Sequence, residues 1–433
     1  MSVDRLTCVA CGAVYPPGSI VDVCPDHPGL EGILSVDYEW GSGLGDGWAP
    51  ASRPKDTLSC YAPMLPLQAR SYELLPKGWL TPTPLIDAPV LAKQLGIAAL
   101  AVKDEGRNPT GSLKDRSSTL AALHALELGQ REICCASTGN AASSLAGICA
   151  NLGLAAHIFV PAGTPTAKLD QLRMFGAHVM LVRGSYDDAY YLCRDAAKEF
   201  GWYDRNCATN PYLVEGKKTC GLELAEQTAA DPVDWVSVAV GDGCTVTAIH
   251  KGLSEMVQLG VLAKVPRLLG IQPAGAAPIA AAFAEGTSQI RPVTASSLAD
   301  SISVGRPRNA ARALDAVRLS GGAILTVTDE EMLRWRHELA SSSGVFAEAG
   351  AAAGVAGLAK AIATGIVAPD ERVVHIATGT GLKDAGRIAS APGQLLEIDA
   401  SMDSVRAALR ERQAYDQGGT PDGGTARSSE YAS

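Results

Sequence analysis

From Ala98 the chain reads Ala98-Ala99-Leu100-Ala101-Val102, then Lys103-Asp104-Glu105-Gly106-Arg107-Asn108-Pro109-Thr110-Gly111-Ser112-Leu113-Lys114-Asp115-Arg116, and runs on with helical spacing to Leu128 before Gly129. A short apolar run, a Gly/Pro turn and a helical pattern describe a strand that feeds a helix. Ser112 is the expected N-cap, which puts Lys114 in the first helical turn. Lysine carries the wrong charge for that position, because the aligned peptide dipoles favour an anion there. A neutral amine suits it. The dipole, desolvation and the flanking Arg107 and Arg116 all favour loss of the proton, the condition under which lysine forms a Schiff base. Most lysines are solvated surface groups, so the reading of Lys114 rests on what else converges on it.

Working outward, the same alternation repeats. Glu132–Ala136, Ala156–Val160 and His178–Val182 read as strands, with the helix Ala141–Leu152 ended by Gly153 between the first two. Further on come strand Trp235–Val240, helix Val246–Leu259, strand Leu268–Gln272, helices Asp329–Ser341 and Ala351–Ala363, and strand Val373–Ala377. Strands alternating with helices imply parallel sheets covered on both faces, an α/β fold. With 433 residues the chain is too long for one ordinary core. Two such sheets with a cleft between them fit the length.

Composition narrows the function. Apolar residues make up 47% and charged ones 19%, the balance of a large α/β enzyme, and aromatic residues only 5%. A net charge of −9 argues against nucleic acid or an anionic membrane as partner, since both favour a basic surface. No apolar run approaches the roughly 20 residues of a membrane span. Met1–Arg5 lacks the start of a secretory signal, so the eleven cysteines are expected to be thiols in a reducing cytoplasm.

Ligands of open α/β sheets bind where strands end and helices begin. Three more such junctions are unusual. Ser137-Thr138-Gly139-Asn140 offers hydroxyls, an amide and free backbone N–H groups at a helix start, a site for a carboxylate, with Asn140 able to bond a phenolic oxygen. The same four residues also make a good turn. Gly241-Asp242-Gly243-Cys244-Thr245 is small enough for backbone amides to close around a phosphate. It is not a dinucleotide fingerprint, because Val246 stands where the third glycine belongs, and no Walker A loop is present. Thr378-Gly379-Thr380-Gly381-Leu382-Lys383-Asp384 ends the last strand, where a hydroxyl can face a pyridine nitrogen or simply cap a helix.

Residues 1–36 stand apart. Cys8-Val9-Ala10-Cys11 and Cys24-Pro25-Asp26-His27 are separated by twelve residues. Three thiolates and an imidazole make a closed tetrahedral set suited to structural zinc, and so short a piece would take its folding energy from the metal. A loop with incidental cysteines is the other reading. Residues 37–80 read as a connector, 81–400 as a catalytic region of two interleaved domains with the smaller at about 118–205, and 413–433 as a disordered tail.

Taken together, NPTGSLKDR (Asn108–Arg116), ASTGN (Ala136–Asn140), NPYLVEGKKT (Asn210–Thr219), GAAPI (Gly275–Ile279), the Ser303–Gly322 stretch, TGTGLKD (Thr378–Asp384) and Thr83-Pro84-Leu85 resemble the threonine synthase family in order and spacing, over roughly residues 80–390. The N-terminal Cys/His segment is similar to a ribbon that some members carry. The resemblance implies a fold-type II pyridoxal-phosphate enzyme, tryptophan synthase beta-like, that acts as an amino-acid biosynthetic lyase and works as a homodimer. It implies that Lys114 carries pyridoxal 5'-phosphate and then serves as acid and base. Asn140 would bond the ring hydroxyl, Gly241, Asp242, Gly243, Cys244 and Thr245 would hold the phosphate, and Thr378 would face the ring nitrogen. Ser137 and Thr138 would hold the substrate carboxylate, and Cys8, Cys11, Cys24 and His27 would hold Zn2+. The family's reaction is elimination of phosphate from O-phosphohomoserine with addition of water to give threonine. The positions matching its substrate-phosphate contacts are Ala141, Cys207-Ala208 and Leu213 here, all apolar or nearly so, and Glu348-Ala349-Gly350-Ala351 replaces Glu-Pro-Ala-Ser. These departures keep open a β- or γ-replacement enzyme, or a serine/threonine dehydratase, on another amino acid. A non-catalytic relative that binds the cofactor without turnover is a further alternative.

Overall fold

The structure is a computed structural model, and it describes residues 2–19, 22–28, 32–39, 58–387 and 396–416. Residues up to Gly386 form one compact unit. Among the described residues its thirteen strands make three sheets. β1 (Ser2–Cys8), β2 (Val14–Tyr15) and β3 (Leu34–Glu39) form an antiparallel sheet in the order β2-β1-β3. β4 (Leu85–Asp87) and β5 (Ala99–Asp104) belong to the largest sheet. β6 (Glu132–Ala136), β7 (Ala155–Pro161), β8 (His178–Val182) and β9 (Tyr203–Asp204) form a parallel sheet in the order β8-β7-β6-β9. β10 (Trp235–Ala239), β11 (Arg267–Pro273), β12 (Ala323–Val327) and β13 (Arg372–Ala377) complete the largest sheet as β12-β11-β10-β13-β5-β4. Only β4 runs antiparallel there. The central strands are apolar without alternation, as a sheet covered on both faces requires. Val236, Val238, Leu268, Ile271, Val374 and Ile376 are all buried.

The expected strands and helices lie within a few residues of their predicted places. The short β4, β9 and β12 and the long helix Tyr212–Thr228 were not anticipated. That helix is buried almost throughout, so no amphipathic period marks it. It packs against the helix Lys114–Glu127 at Gly216, where a Cβ would lie 2.4 Å from the Arg116 carbonyl oxygen. The absence of a side chain there lets two helices approach backbone to backbone beside Lys114.

The same contact is held by buried charge. Arg116 pairs with Glu105 at 2.7 Å and with Glu223 at 2.6 Å, and Lys103 reaches Glu223 at 2.8 Å. Thr83 Oγ1 donates to Glu105 at 2.7 Å and Asn108 Nδ2 at 2.8 Å. β5, the turn after it and two helices are thus pinned by groups with almost no solvent exposure. Removing one partner of such a network is expected to cost about 3–5 kcal/mol.

The remaining unit begins at Arg387, and its described part contains the helix Met402–Asp416. Ser401 Oγ accepts from the Ser404 backbone N–H, and Arg406 pairs with Asp403 at 2.7 Å. The helix therefore includes Gln413–Asp416, which the sequence placed in a disordered tail; residues 417–433 lie outside the described ones. Among the described residues no helix is long and apolar enough to cross a membrane.

Candidate active site

Two local expectations about Lys114 are corrected. Ser112 is not the N-cap: Leu113 occupies that position, and no side chain caps the helix. Ser112 instead pairs through its backbone with Gly379, and its buried hydroxyl has no hydrogen-bond partner among the described residues. The turn is set by Asp115, whose carboxylate accepts from Thr110 N at 2.8 Å and Thr110 Oγ1 at 2.6 Å; burial pushes its pKa up to about 6. The flanking arginines do not act on the amine either. Arg116 is consumed by Glu105 and Glu223, and Arg107 is exposed against Asp104. The amine is still held below the ordinary lysine range, by burial first and then by the charge of Lys217, with Arg205 adding to it. The sign of the expectation holds with different neighbours.

Those neighbours arrive from distant segments. Lys217, on the helix Tyr212–Thr228, is 1% exposed, and its Nζ faces Cys207 Sγ at 3.8 Å with no carboxylate among its hydrogen-bond partners in the described residues. Arg205 is equally buried and is satisfied by hydroxyls, Nε to Ser118 Oγ at 3.0 Å and Nη2 to Ser117 Oγ at 3.2 Å. A buried guanidinium and ammonium with neutral or thiol partners leave net positive charge beside Lys114. Such charge is stable only where an anion completes it.

Thr378, at the end of β13, accepts from the Leu113 N–H through its carbonyl at 2.9 Å, which brings it beside the start of the Lys114 helix. Asn140 opens the helix Asn140–Leu152, and its Nδ2 donates to both oxygens of Glu348 at 2.9 and 3.0 Å. Glu348 also acts electrostatically on Lys114, so it links the two. Burial pushes the Glu348 carboxyl up, while Asn140, Lys383 and Lys114 oppose the shift. A Cβ on Gly379 would fall 2.8 Å from Glu348 Oε1, so that glycine makes room for the carboxylate. Ser137 and Thr138, both partly exposed, precede Asn140; Ser137 Oγ accepts from the Gly139 N–H at 3.2 Å.

The loop Gly241–Thr245 leads into the helix Cys244–Gln258. Gly243 sits at φ +92°, and a Cβ there would meet Ala313 and the Asn309 carbonyl at 2.8 Å, so glycine is required twice over. Asp242 does not face an anion with its carboxylate: Oδ1 accepts from Arg308 N at 3.1 Å and its carbonyl from Asn309 N at 2.9 Å, which fastens the loop from behind. Cys244 Sγ lies 2.9 Å from Cys207 Sγ, joining this loop to the Arg205/Lys217 side. Lys114, Asn140, Thr378 and the glycine loop are therefore linked into one site by Glu348, Cys207 and Lys217.

The donor set fits pyridoxal phosphate. A lysine with a lowered pKa, a glycine-built helix start free of side-chain caps, an amide and a threonine from a neighbouring strand end, and surplus buried positive charge are what an aldehyde with a phosphate tail needs. In the N-terminal segment, Cys8, Cys11, Cys24 and His27 bring their ligand atoms within 4.8 Å of one another. Cys11 Sγ is 4.0 Å and His27 Nδ1 3.8 Å from Cys24 Sγ, and β1 and β3 fix the first knuckle through its backbone. This set fits a tetrahedral metal.

Arg205 carries weight in the site that no pattern in the sequence announces, whereas Cys207 and Glu348 are marked by the family resemblance alone. Glu348 directly precedes an Ala/Gly helix, Ala349–Ala363.

The family described as pyridoxal-phosphate dependent enzyme matches residues 77–379. The threonine synthase of Methanosarcina acetivorans is 37% identical over 412 residues, covering 94% of this chain and 98% of that one. The threonine synthase of Mycobacterium tuberculosis is 41% identical over 303 residues, 70% of this chain and 82% of that one. Among solved structures, diaminopropionate ammonia lyase from Escherichia coli aligns with a TM-score of 0.64 at 17% identity, covering 80% of this chain and 95% of that one. A processed threonine deaminase from Solanum lycopersicum aligns at 0.61 and 21% identity, covering 71% and 88%. The fold is that of the fold-type II pyridoxal-phosphate enzymes, and the chain belongs to the threonine synthase family within them.

Proposed function

We propose that this threonine-synthase-type lyase eliminates phosphate from O-phosphohomoserine and adds water to give threonine. The observation that carries the choice of an anionic substrate is Lys217, buried to 1% exposure and facing a thiol where its neighbour Lys218 is paired with two carboxylates. Lys217 and Arg205 together place two buried positive charges at the site, with no carboxylate among their hydrogen-bond partners in the described residues.

When bound at Lys114, pyridoxal phosphate supplies an electron sink for the substrate α-carbon. The chain's residues do the rest. Lys114, held below the ordinary lysine range, is free to take and return protons at the adjacent carbon. Asn140, whose Nδ2 donates to both Glu348 oxygens, would bond the cofactor's ring hydroxyl, and Thr378 would offer the ring nitrogen a neutral partner. Gly241, Asp242, Gly243, Cys244 and Thr245 present backbone N–H groups to the phosphate, and Ser137 and Thr138 bind the substrate carboxylate. The four-ligand N-terminal set holds structural zinc. The enzyme works as a cytoplasmic homodimer.

A second reading has specific support. At the positions matching the family's substrate-phosphate contacts, Ala141 and Ala208 offer no polar side chain and Leu213 is wholly buried in the core, which favours a smaller, uncharged leaving group on another amino acid.

Purified protein given the cofactor is expected to show a visible band that is lost in Lys114→Ala; a colourless wild type overturns the assignment of Lys114. Offered O-phosphohomoserine, it is expected to release phosphate and threonine in equal amounts. Turnover of serine, threonine or an O-acetylated amino acid with inertness toward O-phosphohomoserine selects the second reading. For the metal, Cys8→Ser is expected to lose bound zinc by elemental analysis, and equal zinc in both proteins refutes that site.

A further inference from the structure

The chain has eleven cysteines, and none is bonded to another. One pair is placed unlike the rest. Cys207 lies on the segment after β9 and is partly exposed; Cys244 begins the helix Cys244–Gln258 and is buried. Their sulfurs are 2.9 Å apart although the residues are 37 apart in sequence. Both pack with Ile33, Ala208, Val214 and Ala248, a largely apolar nest that excludes most water from one side. On the other side stands Lys217 Nζ, 3.8 Å from Cys207 Sγ. An ammonium next to a thiol favours the thiolate, the form that reacts with peroxides.

We propose that Cys207 and Cys244 form a reversible disulfide that ties the loop Gly241–Thr245 to the segment 205–211 and switches turnover off under oxidising conditions. The thiol of Cys207 is brought down to about 6, first by the hydrogen bond from Cys244 and, against the opposing effect of burial, by Lys217 and Arg205. Cys244 moves well up, so it is the proton-bearing partner. The chemistry balances with a hydroperoxide as oxidant. The Cys207 thiolate attacks one peroxide oxygen, the O–O bond breaks, and hydroxide leaves to give a sulfenic acid on Cys207. The Cys244 sulfur, giving up its proton, then attacks Cys207 sulfur; the S–O bond breaks and water leaves. Two thiols are oxidised by two electrons and one hydrogen peroxide becomes two waters. A dithiol reductant reverses the bond by exchange. Formation of the bond is independent of the substrate reading; its effect on turnover rests on the loop holding the cofactor phosphate.

The test treats reduced holoenzyme with hydrogen peroxide, alkylates free thiols, and maps peptides without reduction. The expected result is a Cys207–Cys244 cross-linked peptide, with turnover falling roughly ten- to a hundredfold, the scale for a displaced positioning loop, and returning with dithiothreitol. Cys207→Ser and Cys207→Ala, each compared with its own untreated activity, are expected to lose the cross-link and the reversible inhibition. Cys244→Ala is expected to stop at a Cys207 sulfenic acid, trapped by dimedone. Separate alkylation of both thiols in peroxide-treated wild type, or equal inhibition in Cys207→Ser accompanied by metal release from the N-terminal knuckle, overturns the proposal.

Discussion

Lys217 and Lys218 are consecutive on one helix and both buried, yet their surroundings are opposite. Lys218 pairs with Glu215 at 2.8 Å and Glu255 at 2.9 Å and donates to the Met64 carbonyl at 2.7 Å. Lys217 has a thiol at 3.8 Å. The same contrast separates whole regions. Around Lys103, Arg116 and Lys218 every positive charge has carboxylates in contact, so the charge is complete within the protein. Around Arg205 and Lys217 the hydrogen-bond partners in the described residues are hydroxyls and a sulfur with no carboxylate among them, an arrangement that suits an anionic ligand. Paired buried charge is architecture; unpaired buried charge marks a place for a ligand.

The contrast can be broken first on the paired side. Arg116→Met leaves Glu105 and Glu223 buried without their cation, and is expected to destabilise the fold by about 3–5 kcal/mol in urea unfolding. A loss below 1 kcal/mol, roughly the value of a surface pair, would show that the network is not what pins the two helices.

A pH scan probes the same side without mutation. Burial alone would push Glu105 up, but Arg116 and then Lys103 outweigh it and hold the carboxyl at about 2, against an ordinary value of 4.5. A group with a depressed folded value contributes stability above its unfolded value and loses it on acidification. The contribution is therefore complete above pH 4.5 and declines as pH falls toward 2, by about 3 kcal/mol in all. Glu105→Gln is expected to flatten that part of the stability–pH curve, and an unchanged slope would contradict the assignment.

The smallest effect on stability, and the sharpest on function, is expected on the unpaired side. Lys217→Met should leave thermal stability unchanged or raised, because the buried cation it removes has a sulfur and no carboxylate as its hydrogen-bond partner among the described residues. It should raise the KM for a phosphorylated substrate about ten- to a hundredfold, matching one lost charged hydrogen bond of about 1.5–3 kcal/mol. Lys218→Met is expected to do the reverse, lowering stability with little change in KM. If the two variants behaved alike, the distinction between them would fall.

Much of this was legible from residue order. The strand, Gly/Pro turn and helix start around Lys114 appear where periodicity puts them, as do the loop Gly241–Thr245 and the end of β13 at Ala377. These are local features, each written within some fifteen residues. Less legible were β12, a five-residue strand only partly buried, and the helix Tyr212–Thr228, whose all-round burial erases the 3.6-residue signal. The mistaken cap at Ser112 and the mistaken credit to Arg107 and Arg116 share a cause. Sequence neighbours were read as spatial neighbours, whereas Ser112 is turned by its bridge to Gly379 and Arg116 by Glu105 and Glu223.

By itself, then, the order of residues determined the alternating architecture, the anomalous lysine at a helix start and the glycine-built loop, because backbone dihedral preference, periodicity and the helix dipole act over a few residues. The tertiary structure alone decided which charges stand beside that lysine. Glu348, Arg205, Lys217 and Cys207 come from segments about 90 to more than 200 residues away from it, and whether each is neutralised depends on distances of a few ångströms that only the packed chain sets.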